Sequence, residues 1–270
     1  KGLSASMAMC LYKKYESATL ALEHLDEVPA RFRKKVLESL PEAQERAKVE
    51  MEFCKQKNIQ VLIFSDEGYP ARLRECEDAP LVLFYRGVAN LNEKRIISVV
   101  GTRKISGWGK SICQNFCKEL ATLIPDCVVV SGLAYGVDIH SHRACLENSL
   151  PTVAVLAHGL DRIYPSLHRS TAIEMLNQGG LLTEFLSGTN PDKGNFVRRN
   201  RIVAGMADAT IVIESAAHGG AMITARLANS YGRDVFAFPG RVTDPMSEGC
   251  LKLIKANVAA LITNANDLVE

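Results

Sequence analysis

The sequence predicts an α/β fold, a mostly parallel, doubly wound sheet of the Rossmann type preceded by a small all-helical domain. Three observations predict it. Residues 1–57 carry apolar residues at helical spacing and no strand pattern. From Ile59 onward, short apolar runs rich in β-branched residues alternate with helical stretches. Those runs are apolar on both faces, as strands covered by helices on both sides must be. The expected domain boundary falls between 58 and 59, with a helical domain over 1–58 and the sheet-bearing domain over 59–270.

In chain order, LSASMAMCLYKKYESATLALEHL reads as helical and is ended by Pro29. RFRKKVLESL and the stretch from Pro41 to Lys57 read as further helices. The expected strands are IQVLIF (59–64), LVLFYRG (81–87), IISVVG (96–101), VVVSG (128–132), TVAVLA (152–157), LLTEF (181–185), TIVIES (210–215), DVFAFP (234–239) and AALIT (259–263). The expected helices between them cover 106–124, 136–148, 166–178, 195–206, 219–231 and 247–256. No internal repeat or low-complexity segment interrupts the series. In such sheets ligands bind beyond the carboxyl ends of the strands, so the strand-to-helix loops are where function is sought.

The bulk numbers narrow the class. The chain has 270 residues, 47% hydrophobic and 23% charged, an ordinary globular composition. No apolar run approaches the roughly 18 residues of a membrane span. No signal peptide is expected, and a start at Lys1 reads as a fragment or a trimmed chain. Eight cysteines include no Cys-x-x-Cys pair and fall largely in apolar runs. They read as buried hydrophobes of a reducing cytoplasm, without a disulfide framework or a zinc site. A net charge of +2 argues against a surface coated in basic residues but leaves room for a local anion site.

Three loops follow strands, open helices and are rich in glycine: VVGTRKISGWGKS (99–111), SGLAYGVD (131–138) and ESAAHGGAMITA (214–225). Glycine lets the backbone approach an anion, and free N–H groups at a helix start point toward it. The nucleotide fingerprints do not match. Gly101, Gly107 and Gly109 miss the Gly-x-Gly-x-x-Gly spacing, and the second strand ends in Ser131-Gly132 without an acidic residue. Gly109-Lys110-Ser111 resembles the end of a P-loop, but position 104 is lysine where the motif requires glycine. NAD and ATP are therefore disfavoured and no cofactor is expected. Tight turns alone would explain one such loop; three on one rim, with Arg103 inside the first, point to phosphate.

Catalytic constellations are sparse. In DIHSHRAC (138–145) His140 and His142 lie about 200° apart on a helix, too far round to share a metal. Asp138, His142 and Cys145 share one face, where an Asp–His pair could serve acid–base chemistry or simply hydrogen-bond within the helix and fix the loop. His158 and His168 read as loop residues. There is no Gly-x-Ser-x-Gly elbow. Glu184 and Glu214 end strands on the loop rim and read as partners for arginines. The chain is expected not to be an enzyme.

The most unusual stretch is GNFVRRNRIVAG (194–205). Read as a helix, it places Arg198, Arg199 and Arg201 near the N-terminal end, against the macrodipole by roughly 0.3–1 kcal/mol each when exposed. A pair between Arg199 or Arg201 and Glu184 or Glu214 would use one arginine, not three. An anionic ligand would use the arginine forks and the helix N-terminus together. Lys193 extends the patch, and Phe196 beside it is either a core anchor or a platform for a base, the single-strand binding pattern. Asn200 falls on the apolar side and reads as a buried hydrogen bond that holds the stretch.

Together, GYPARL…DAPLVLFYRG, VGTRK, SGLAYGVDIHSH, GLDRIYP, GNFVRRNRIVAG, GGAMITARLA and FAFPG…GCLKLI make the chain resemble the DNA-processing protein A family (DprA, also called Smf) from about Tyr69 to Ala256. The ordered series is specific where one motif would be weak. The resemblance implies an extended Rossmann-like fold that binds single-stranded DNA, protects incoming DNA and helps load the RecA recombinase in natural transformation. It implies a cytoplasmic protein, a homodimer pairing through the Rossmann-like domain, and a SAM-like character for the helices before it. Many members continue into a winged-helix-like domain, whereas this sequence ends at Glu270, just past the sheet. Family DNA-binding positions carry over to Arg103, the Ser131-Gly132 turn, and GNFVRRNR with Lys193 before it. With the loop residues added, the expected DNA-binding set is Gly101, Arg103, Lys104, Ser131, Gly132, Gly219 and Gly220 from the glycine loops. The arginine stretch contributes Lys193, Asn195, Phe196, Arg198, Arg199, Asn200 and Arg201. About four to six phosphate contacts would give a salt slope of roughly −3 to −4. The competing reading is a Rossmann-like nucleotide phosphoribohydrolase of the lysine-decarboxylase-like type. It calls for Pro-Gly-Gly-x-Gly-Thr-x-x-Glu, and the loop HGGAMITAR lacks the second Gly-Thr pair and the Glu.

Overall fold

A computed structural model describes residues 3–269; the outer domain limits expected at Lys1 and Glu270 lie outside the described residues. The first helical stretch divides in two. Helix α1 (Ala5–Tyr15) is capped by Ser4 and ends at Glu16 in the left-handed region, φ 51°. Helix α2 (Ala18–Glu23) restarts at once because the Ser17 hydroxyl accepts the N–H of Leu20. Where two further helices were expected, α3 (Ala30–Gln56) runs unbroken through Pro41. Proline removes one helical hydrogen bond, from the carbonyl of Leu37. Both residues are exposed, so water can take that carbonyl and the helix survives.

The sheet follows. Its strands are β1 (Gln60–Ile63), β2 (Val82–Gly87), β3 (Ile96–Val100), β4 (Val128–Ser131), β5 (Thr152–Val155), β6 (Gly180–Thr183), β7 (Ala209–Val212), β8 (Asp234–Ala237) and β9 (Ala260–Leu261). The intervening helices are α4 (Ala71–Arg74), α5 (Gly107–Leu123), α6 (Val137–Glu147), α7 (Arg169–Met175), α8 (Lys193–Gly205), α9 (Gly220–Ser230) and α10 (Glu248–Lys255). The strand order is β1-β2-β6-β5-β4-β3-β7-β8-β9. Strands β6 to β9 and β3 to β5 pair in parallel, while β1 and β2 form an antiparallel edge on β6.

Strand alternation sorts the core onto the two faces. Ile97, Val99, Val129 and Ile211 pack with Cys113, Phe116 and Leu120 of α5 and with Cys145 of α6. Val100, Val128, Val130 and Val212 pack with Ile202 and Val203 of α8 and Met222 and Ala225 of α9 on the other face. Between β3 and β7 the Ser98 and Thr210 hydroxyls satisfy each other at 2.7 Å, so the centre of the sheet holds no orphaned hydroxyl there. β3 is flanked by β4 on one side and β7 on the other. The chain therefore winds away in opposite directions after these neighbours, and their loops part to leave a crevice at the carboxyl ends.

Helix α3 is pinned to this architecture by one buried carboxylate. Glu50 accepts the Ser187 N–H at 2.9 Å and the Ser187 hydroxyl at 2.6 Å, and pairs with Arg46 at 2.7 Å. Arg46 also donates to the Ser187 carbonyl. The loop between β6 and α8 is thus clamped from below by the N-terminal helices.

Candidate nucleic-acid interface

The crevice is a cavity of about 540 Å³. Its walls are the loop after β3 (Gly101, Thr102, Arg103), the loop after β4 (Gly132, Ala134), the start of α8 (Lys193, Phe196, Val197) and the loop before α9 (Ser215, His218, Gly219, Gly220). All three glycine-rich loops thus meet the arginine stretch at one place. The physical cause is the sheet: β3, β4 and β7 are neighbours and parallel, so the loops after them must share a rim.

Arg199 forms the floor. It is 4% exposed and donates from Nη1 to the Val155 carbonyl at 2.9 Å. Its guanidinium lies where a side chain on residue 132 would be: a Cβ there would stand 1.6 Å from Arg199 Nη1, so any larger residue would have to displace the guanidinium. Among the described residues Arg199 has no ion-pair partner, and its Nε has no hydrogen-bond acceptor. Burial pulls its basicity down, while the charge of Asp138 pulls the other way and that of Arg103 adds to the fall. Asp138 spends its own carboxylate on the N–H groups of Gly132 and Ala134, at 3.1 and 3.3 Å. Burial raises its pKa against the opposing effect of Arg199. A buried cation paired with no carboxylate is costly on its own and well placed to receive an anion.

Arg103 is exposed on the opposite wall, with its Cζ 5.1 Å from the centroid of the Phe196 ring. Phe196 is half-buried and tilts against Tyr164 at 5.9 Å, between ring centroids. Phe196 belongs to none of the apolar core clusters. Its position is thus not that of a core anchor. Lys193 stands on the first turn of α8, exposed.

The other arginines go elsewhere. Arg198 and Arg201 both donate to Glu184 Oε2, at 2.7 and 2.5 Å, and Arg201 also donates to the Asp78 carbonyl. The Glu184 side chain is 2% exposed, and burial raises its pKa although Arg201 and Arg198 oppose the shift. Among the described residues Glu214 pairs with no arginine; it accepts the Ser106 N–H and hydroxyl and so fixes the start of α5. Neither Arg198 nor Arg201 lies on the cavity wall.

The remaining expected residues divide between wall and support. Gly101, Asn200, Gly219 and Gly220 line the cavity. Asn200 does make the expected hydrogen bond, from Nδ2 to the Gly220 carbonyl at 3.4 Å, but at an exposed wall instead of a buried one. Ser131 is buried beneath the rim and donates to the Val99 carbonyl at 2.6 Å. Asn195 donates to the Asn190 carbonyl at 3.0 Å and holds the entry to α8. Lys104 is exposed next to the wall, its N–H bonded to Thr102 Oγ1.

The histidines correct the sequence reading. Asp138 and His142 do not hydrogen-bond to each other: His142 Nδ1 meets Thr152 Oγ1 at 2.7 Å, and burial depresses its pKa to about 3. His158 lies in a loop, as expected, and His168 ends a short 3-10 turn (Ser166–His168); both are buried. His158 Nε2 accepts the Tyr164 N–H at 3.2 Å and so sets the aromatic beside Phe196, while His168 Nδ1 meets the Leu133 carbonyl at 2.8 Å. His218 on the cavity wall and Tyr164 against Phe196 were not among the expected residues. GLDRIYP held the signal for Tyr164, an aromatic at the penultimate position of a motif loop. No group of side chains among the described residues has the makings of a metal site, and no helix among them is long and apolar enough to cross a membrane.

Comparison with known proteins places the chain. Residues 60–270 match the family model described as DNA recombination-mediator protein A. A relative from Mycobacterium tuberculosis is 42% identical over 205 residues, covering 75% of this chain and 52% of that protein. The chain thus spans about half the length of the first curated relatives it matches. Among solved structures, DNA processing protein A (DprA) from Streptococcus pneumoniae superposes with a TM-score of 0.84 at 30% identity, covering 99% of this chain and 93% of that one. DNA processing protein A from Helicobacter pylori, whose structure concerns a single-stranded DNA binding mode, gives 0.70 at 29% identity over 78% and 94%. The chain belongs to the DNA recombination-mediator protein A family, DprA/Smf.

Proposed function

We propose that this family member binds single-stranded DNA in the crevice between β3 and β7, as a binding protein and not a catalyst. The observation that carries the reading is the pairing of a buried, carboxylate-free Arg199 with an Arg103–Phe196 stack across one cavity. A phosphate offsets the buried cation and accepts hydrogen bonds from it. A base lies on the Phe196 face, with Tyr164 beside it. Backbone groups of Gly101, Gly132, Gly219 and Gly220 allow close approach of the strand. The finer reading includes protection of incoming DNA, its transfer to a RecA recombinase, and homodimerisation through the sheet-bearing part.

The contact count shrinks relative to the sequence expectation. Glu184 holds two arginines, which leaves Arg103, Lys193 and Arg199 as the cations on the cavity wall. Three phosphate contacts give a salt slope of about −2 instead of roughly −3 to −4. Fluorescence anisotropy of a labelled oligo-dT, titrated across a salt series, measures it. Saturable binding with a slope near −2, and much weaker binding to duplex, is the expected result. Equal affinity for duplex, or no binding at low salt, would sink the reading.

A further inference from the structure

A second cavity, of about 440 Å³, shares a wall with the crevice. The wall is the loop after β3, whose Thr102 faces the first cavity and whose Ser106 faces the second. Thr102 Oγ1 lies 3.5 Å from Met246 Sδ, and the Ser215 N–H donates to the Met246 carbonyl at 2.7 Å, so Met246 ties the loop after β3 to the loop after β7.

The second cavity has unspent chemistry. Trp108, the single tryptophan of the sequence, stands on the first turn of α5 with 42% of its surface exposed. Among the described residues it makes no ring contact. Arg241 is exposed on the facing loop, and its guanidinium has no partner among the described residues. Ser247 is 1% exposed on the same wall, and its Oγ has no hydrogen-bond partner. Asp244 adds a carboxylate, of which Oδ1 accepts the Met246 N–H at 3.0 Å. That carboxylate repels a phosphate inside the cavity and accepts from the N–H edge of a base. The combination of indole, unpartnered serine and carboxylate within, and a free cation at the rim, suits a nucleobase with its phosphate outside.

We propose that this cavity is a second nucleotide subsite, in which a base of the same strand stacks on Trp108 while Arg241 takes the flanking phosphate. The inference rests on the crevice being the first single-strand site. The strand crosses the wall at Thr102–Ser106, past exposed Lys104.

The single tryptophan makes the test direct. Unlabelled oligo-dT of increasing length is titrated into the full chain while Trp108 emission is read, with anisotropy of labelled oligo-dT measured in parallel. Expected is quenching that follows the anisotropy for longer strands and is absent for the shortest that bind. Trp108→Ala then weakens long strands about 5- to 100-fold and leaves the shortest unchanged, while Trp108→Phe keeps most of the affinity. Arg241→Ala reduces the salt slope by about 0.7. Anisotropy that saturates with unmoved emission, and a Trp108→Ala chain that binds every length like the parent, overturn the subsite and leave the crevice reading standing. An emission maximum that shifts with protein concentration in the absence of DNA marks a contact between copies and overturns it too. No anisotropy change at any length removes the crevice reading and this inference together.

Discussion

The flanks and the middle of the arginine stretch meet opposite fates. Arg198 and Arg201 point to the end of β6, where one buried carboxylate, Glu184, takes both. Arg199, between them in sequence, turns under Gly132 and finds a carbonyl but no carboxylate. One helix thus has an ion-paired face and one whose guanidinium makes no ion pair, a single residue apart. Cations counted in sequence are not cations available to a ligand: the neighbouring element that each guanidinium reaches decides its charge balance.

Four substitutions break or sharpen that contrast. The largest effect is expected at Gly132→Ala, which drives a methyl into the Arg199 guanidinium. Overpacking and loss of the floor cation together lower oligo-dT affinity about 100-fold. Thermal melting separates the local displacement from global unfolding; unchanged affinity would show that Arg199 contributes nothing. Next, Phe196→Ala removes the platform and weakens binding about 30-fold, within the range for one stacked base. Its salt slope stays that of the parent, because no charge is lost; a shallower slope would assign Phe196 an indirect role in placing Arg103. Third, Arg103→Ala lowers affinity about 10-fold at low salt and makes the slope shallower by about 0.7, one phosphate contact. Parent-like binding by this variant would refute the crevice as the site. The smallest effect is expected on the ion-paired face: Arg198→Ala changes affinity less than about twofold and stability by about 1 kcal/mol or less, as for an exposed partner of an ion pair. A loss as large as that of Arg103→Ala would mean Glu184 releases Arg198 when DNA binds.

The sheet was legible because its strands are short β-branched runs bounded by glycine and polar turns, and each expected strand lies within a residue or a few of the observed one. The three loops were legible for the same reason. The N-terminal helices were less so. Ser17 as a cap and Pro41 as a tolerated interior residue both work against simple helix-breaking rules. Tyr164 escaped notice because its position depends on buried His158, a contact that no periodicity displays.

By itself, the amino-acid sequence determined the order of strands and helices, the two-sided burial of the sheet, the glycine loops at its carboxyl end and the family membership they mark. These are local properties, set by side-chain shape and spacing along the chain. Tertiary structure alone decided which arginines are ion-paired, that Phe196 sits between Arg103 and Tyr164, and that Trp108 and Arg241 share a cavity. Electrostatic availability depends on the distance to charges and carbonyls on other elements and on the water removed between them. Those distances exist only once β6, α8 and the loop after β4 have packed together.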